Sequence, residues 1–303
     1  MNNAPSLRDL VDLYLLRCEV EGKSPRTVIA YRGTLARFLR AVDIEHAADV
    51  TQEHVYAYLG GCRSLADESR HRYFREVRCF FNWLVDSDYL EKSPFRGMKN
   101  VRLPQRIIQP LAPEEIGRLL EACGTGEISL RDRSLLMLLL DTGARCSEVV
   151  QLELSAVDVE DGRIRILHGK GNKQRVVPFA GTCRATLAAY LEARGTTPGA
   201  LFVTSNGHGV LRPEIPLGVN GLKQVLRRLG RRAGVPKVHA HRFRHTFATW
   251  AIQHDARELD VQYLLGHSSP DMVRRYSSSY RSEQAALRHF AFSPADQMLA
   301  VRQ

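Results

Sequence analysis

Residues 157–179 read VDVEDGRIRILHGKGNKQRVVPF, and this stretch interrupts a chain whose apolar spacing is otherwise helical. Branched apolar residues dominate it, and Asp161-Gly162 and Gly169–Asn172 supply turn residues between them. Two or three short antiparallel strands with tight turns are therefore expected here. Upstream, helical patterns cover 113–122 and 130–141; downstream they cover about 183–194, 219–233, 241–254 and 258–265, then the surroundings of Tyr276. This part of the chain is expected to be mainly α with one small antiparallel β-sheet.

Further outward, toward the N-terminus, the pattern is helical throughout. Leu7, Leu10, Val11, Tyr14 and Leu15 fall on one helical face, with Ser6 placed to cap it. Ser24-Pro25 opens a second helix carrying Val28, Tyr31, Leu35 and Leu39, with proline at a first helical position. Two more helices read from Thr51 to Leu59 and from Ser69 to Val85, which makes residues 1–92 a helical bundle. Residues 93–113 contain Pro94, Pro104, Pro110 and Pro113 with little periodicity, so they are read as a linker. A larger domain is expected over 114–281, followed by a tail over 282–303 with an amphipathic stretch at Ala285, Leu287 and Phe290.

The formal charge of +10 is unevenly spread. Residues 1–100 hold 15 Lys and Arg against 14 Asp and Glu, whereas residues 101–303 hold 28 against 19. A basic larger domain points to a polyanionic partner, most often nucleic acid, although a merely basic soluble protein has the same balance. In the bundle, Arg72, Arg75 and Arg78 are spaced by three on one helix and neighbour each other. They form either a phosphate-gripping face or a solvated one. The six cysteines lack a C-x-x-C pair, which argues against structural zinc and for reduced cytosolic thiols. No apolar run reaches the roughly 18 residues that span a bilayer, so no membrane partner is expected and the setting read is cytoplasmic, at the nucleoid.

Three blocks carry chemistry. They are Thr142-Gly143-Ala144-Arg145-Cys146-Ser147-Glu148, Gly169-Lys170-Gly171-Asn172-Lys173-Gln174-Arg175, and His241-Arg242-Phe243-Arg244-His245 continuing through Gly266-His267 to Arg275-Tyr276. In order and spacing they resemble the tyrosine recombinases, the phage integrase and Xer-like family, over about residues 110–280. The N-terminal bundle is similar to that family's SAM-like core-binding domain. The resemblance implies a site-specific recombinase that cleaves and rejoins double-stranded DNA through a 3′-phosphotyrosine and a free 5′-hydroxyl, with strand exchange via a Holliday junction. It implies no metal and no other cofactor, and a homo-oligomer that is a dimer on one site and a tetramer in synapsis. An accessory DNA-binding protein of the same fold, or a topoisomerase IB-like relaxing enzyme, are the competing readings.

The residue types suit the implied chemistry. Negative charge builds on a phosphodiester's oxygens in the transition state, and fixed guanidinium groups meet it with paired hydrogen bonds. Arg145 and Arg244 match the family's phosphate-binding arginines. Glu148 matches its acidic position and is expected to orient Arg145 from the same helical face, unless it is an ordinary intrahelical ion pair. Lys170, at a turn relaxed by Gly169 and Gly171, matches the general acid that protonates the leaving 5′-oxygen. Lys173 and Arg175 are expected to hold the DNA backbone. His241 and His267 match positions that contact the phosphate or move the tyrosine's proton, a role suited to a side chain that titrates near neutrality. Either could instead be a satisfied core histidine, and His245 is assigned to packing. Tyr276, nine residues after His267, matches the nucleophile, with Tyr263 and Tyr280 as rivals. A phenol with a reference pKa near ~10 needs nearby cations to act so. Val273, Ser278 and the turn at Asp255–Asp260 depart from common family residues and obscure the subfamily. The tail is expected to dock on a partner subunit or on its own.

Overall fold

Helix caps and an aromatic core build the N-terminal part. Ser6 Oγ accepts from the Asp9 N–H at 3.2 Å, and Asp9 returns the bond to the Ser6 N–H at 3.1 Å, which starts helix α1, Leu7–Val20. Ser24 likewise accepts from the Thr27 N–H and Pro25 opens α2, Pro25–Val42. Helices α3, Gln52–Gly61, and α4, Asp67–Asp86, complete the bundle. Tyr14, Phe38, Tyr58, Phe80 and Phe81 meet edge-on in its core; the Phe38 and Tyr58 ring centroids are 5.2 Å apart. Such pairs add modestly to the area they bury. The carboxylate of Glu76 faces this core and is satisfied there by the Thr34 hydroxyl.

This computed structural model describes residues 5–103, 108–167, 174–206, 208–266 and 289. The chain divides into two compact units, residues 1–106 and 107–303. Both ends of the proline-rich stretch between them are fastened. Phe95 and Met98 pack into the first core, and Leu111 is fully buried in the second.

The second unit begins with α5, Pro113–Glu121, α6, Glu127–Thr142, and the short α7, Cys146–Val150. Strands β1, Val157–Asp158, β2, Arg163–Ile166, and β3, Arg175–Pro178, form an antiparallel sheet in the order β1-β2-β3. Ile164 pairs with Val177 and Ile166 with Arg175, so the alternating inward face carries Ile164, Ile166, Val177 and Arg175. Helix α8, Gly181–Arg194, packs along α6. A second antiparallel pair, β4, Val203–Ser205, and β5, Leu211–Pro216, departs from the single sheet expected. Pro213 and Pro216 disguise it, because proline is tolerated only where a strand needs no ladder donor, as at an edge. Helices α9, Val219–Arg232, α10, Ala240–Gln253, and α11, Glu258–Leu265, follow.

The mainly helical fold with small antiparallel sheets matches the expectation. The main core of the second unit runs from Leu111 to Phe243, beside a smaller cluster of Ala248, Val261 and Leu265, and ion pairs on the buried Asp132 tie its layers. Arg131 and Arg228 both hold Asp132, and Arg131 also donates to the Val203 carbonyl, linking α6 to α9 and β4. No helix among the described residues is long and apolar enough to cross a membrane. Lys170, Lys173, His267, Tyr276 and all of the tail over 282–303 except residue 289 lie outside the described residues.

Gly143 is the hinge on which the next layer depends. It ends α6 in the left-handed region, with φ +58°, and a Cβ there would stand 2.6 Å from Leu265 Cδ2 and 2.9 Å from Phe247 Cδ1. Gly143→Ala is expected to destabilise the fold by about 2 kcal/mol, seen as a lower urea midpoint at unchanged slope.

Candidate active site

The site grows from the chain just after Gly143. Arg145 is not inside a helix; it is the N-cap of α7, and Glu148 is the third residue of that helix. The Glu148 carboxylate reaches back to the Arg145 N–H at 2.8 Å and takes Arg145 Nη1 at 2.7 Å. Its orienting role extends further than a local pair. Arg175 on β3 donates Nη1 and Nη2 to the two Glu148 oxygens at 3.0 and 2.8 Å, a two-pronged contact across the domain. Glu148 is only 3% exposed. Burial would raise its carboxyl; the Arg175 fork, then the Arg145 N–H and guanidinium, outweigh this and hold it at about 2.

Arg175 was expected at the DNA backbone, and the structure gives it a different duty. Its side chain is buried, forked on Glu148, and its Nε donates to the Leu264 carbonyl at 2.8 Å. The physical reason is strand alternation. Val177 points into the core, so Arg175, two residues before it on β3, points the same way. That parity was the available signal.

Three arginines then meet the end of α11. Arg175 takes the Leu264 carbonyl, Arg244 Nη2 takes the Leu265 carbonyl at 2.7 Å, and Arg145 Nη2 takes the Gly266 carbonyl at 3.2 Å. Unpaired carbonyls at a helix C-terminus carry partial negative charge, so cations belong there. Arg244, buried on α10, also donates to the Gly143 carbonyl at 2.9 Å.

His241 stands in the first turn of α10 with its ring exposed. Partial burial, then the His239 ring and the charges of Arg244 and Arg145, depress its pKa below the ordinary imidazole value. The lowering favours the neutral ring. His241 lies three residues before Arg244 on α10, on the same helical face. His245 is buried as expected of a packing residue. Burial and then His241 lower its pKa to about 4, and its Nδ1 lies 3.1 Å from the Thr249 hydroxyl.

The described residues thus bring Arg145, Glu148, Arg175, His241 and Arg244 together. Arg72, Arg75 and Arg78 belong to the first unit, exposed along α4. The Arg72 guanidinium lies over the Tyr73 ring and that of Arg78 over Phe74, 4.9 and 5.6 Å from the ring centroids, while both residues stay exposed. Sequence reasoning missed Arg242. Its Nε holds the Gln109 carbonyl at 3.1 Å, its Nη1 the Pro236 carbonyl at 2.9 Å, and its Nη2 Glu115 of α5 at 2.7 Å. With the Leu111 N–H on Thr246 Oγ1 at 2.8 Å, these contacts fasten the end of the linker to α10. Nothing in the sequence marks a pair 127 residues apart.

A mainly helical domain whose arginines converge beside an exposed, neutral histidine has the architecture of a phosphodiester-handling recombinase domain. The phage integrase family pattern matches residues 109–283, and its N-terminal SAM-like domain pattern matches 10–91. The chain belongs to this family, the tyrosine recombinases. It is 32% identical over 275 residues to the tyrosine recombinase XerC of Staphylococcus carnosus (strain TM300), covering 88% of this chain and 90% of that protein. It is 28% identical to the tyrosine recombinase XerD of Staphylococcus epidermidis (strain ATCC 35984), covering 91% and 96%. Its fold is similar to that of a lambda integrase tetramer bound to a Holliday junction, with a TM-score of 0.74 at 17% identity over 91% of this chain and 78% of that one.

Removing the charge of Glu148 leaves two guanidinium groups facing each other across its site. Glu148→Gln is expected to cost about 3 kcal/mol of stability, read by denaturant unfolding. Because folding lowers its pKa, the carboxylate's contribution is complete above the ordinary carboxyl range and is lost as pH falls toward about 2. The acid limb of the stability curve should flatten in the variant.

Proposed function

We propose that this chain is a site-specific DNA recombinase whose nucleophile is Tyr276, and that Arg145 and Arg244 bind the scissile phosphate. One observation carries the reading: both arginines are locked by Glu148, Gly143 and the end of α11, with His241 beside them. Guanidinium groups fixed before the substrate arrives need no reorganisation as charge develops, the condition under which electrostatic stabilisation is largest. Loss of either is expected to lower the rate on the order of 10²- to 10³-fold, by analogy with oxyanion donors.

In the proposed reaction the Tyr276 oxygen attacks phosphorus and the bond to the 5′-oxygen breaks. One histidine, His241 or His267, takes the phenolic proton, and Lys170 protonates the departing 5′-oxygen. The product is a 3′-phosphotyrosine and a free 5′-hydroxyl. Attack by a 5′-hydroxyl from the second duplex reverses the step, returns the proton to Tyr276 and exchanges the strands. The phosphodiester bond energy is kept in the tyrosyl linkage, so rejoining needs no nucleotide. The exposed arginines of α4 grip DNA backbone, and the working unit is a dimer on one site and a tetramer in synapsis. The setting is the cytoplasm, on nucleoid DNA.

A nicked suicide substrate, from which the cleaved end diffuses away, tests this. The unaltered protein should form a covalent adduct in EDTA and without ATP, and Tyr276→Phe should form none. An adduct in the variant would move the nucleophile elsewhere.

A further inference from the structure

The first turn of α10 carries His241 and Arg244, and its N–H groups need acceptors that the helix cannot supply. Serine, threonine, aspartate or asparagine usually provides one. Here the N-cap is His239. Its backbone is extended, with φ −155° and ψ 156°, and its Nδ1 accepts from the Arg242 N–H at 3.1 Å, an N–H shared with the His239 carbonyl at 2.9 Å. The capped residue is also the one whose side chain anchors α10 on Gln109, Pro236 and Glu115. The cap therefore fixes the turn at the point where the rest of the domain holds it.

An imidazole cap differs from a hydroxyl in one respect: it titrates. An accepting Nδ1 puts the neutral ring's proton on Nε2. A second proton turns Nδ1 into a donor facing the Arg242 N–H and the positive end of the helix. The surroundings oppose that proton. The His239 and His241 rings lie nearly parallel, 11° apart with centroids at 6.4 Å. His239 also lines a hollow of about 710 Å³ with Lys223, Arg227 and Arg231 of α9 and Lys237 of the following loop. Burial first, then Arg242, lower the His239 pKa below its ordinary value, as Arg244 and Arg145 help to do for His241.

We infer that His239 is a positioning residue whose neutral ring holds the His241 and Arg244 turn in place, so that protonating it uncaps α10 and slows DNA cleavage. The inference rests on the recombinase reading above. The sign follows from the lowered pKa: the cap is complete above the ordinary imidazole value and is lost as pH falls below it. In the unaltered protein, protonation of His239 therefore adds a step of about fivefold to the acid limb that the proton-accepting histidines already produce.

Single-turnover cleavage of the nicked substrate by full-length protein at saturating concentration, over about pH 5 to 8, tests this. His239→Ala should be slower by about fivefold at neutral pH, the rate equivalent of a lost cap. His239→Ser, which caps without titrating, should restore the rate relative to alanine and remove that step from the acid limb. A merely structural role would leave the limb unchanged. An alanine variant as fast as the unaltered protein, or a serine variant whose acid limb keeps the step, would overturn the inference alone. Absence of any adduct in the unaltered protein would overturn the recombinase reading beneath it.

Discussion

A single buried carboxylate, Glu148, organises the second unit's site. Its two oxygens take the guanidinium groups of Arg145 and Arg175 and the Arg145 N–H. Without that negative charge, two like charges would face each other where the dielectric is low and repulsion is strong. With it, both arginines continue outward to the last carbonyls of α11. Elements far apart in sequence, α7, β3 and α11, are thereby held by one anion. The cluster remains positive overall, as a site for a phosphodiester must be.

This arrangement separates two kinds of arginine. Arg175 is spent on structure, buried and forked. Arg145 keeps part of its side chain in solvent, and among the described residues its guanidinium donates to Glu148 and the Gly266 carbonyl. Arg244 is oriented by two carbonyls from different elements, so its guanidinium cannot swing without breaking both. Binding groups held this way lose little entropy on meeting a substrate, which is why they act through preorganisation and not through affinity alone.

Much of this was legible in the sequence. Ser6, Ser24-Pro25 and the apolar spacing after them announce α1 and α2 because capping and periodicity are local properties. The period change at Val157–Phe179 announces β2 and β3 for the same reason. The β4–β5 pair was hidden by Pro213 and Pro216, which argue against a strand unless it is known to be an edge. Arg145, Glu148, His241 and Arg244 stood out as motif residues, and the structure adds their partners. The Arg175 fork and the Arg242–Glu115 pair are long-range, set by how strands and helices pack, and no local pattern encodes them. His239 did not stand out, because the helix was read from 241 and a capping role requires the start of α10 to be known to the residue.

The most direct measurement is identification of the DNA-bearing residue. The adduct trapped on a nicked substrate in the presence of a chelator would be digested with trypsin and nuclease, and the nucleotide-modified peptide sequenced by mass spectrometry. The predicted result is a 3′-phosphonucleotide on Tyr276, with a 5′-hydroxyl on the released strand. A modification on Tyr263 or Tyr280, or cleavage that leaves no covalent adduct, would contradict a tyrosyl-transfer site built around the arginines that Glu148 holds.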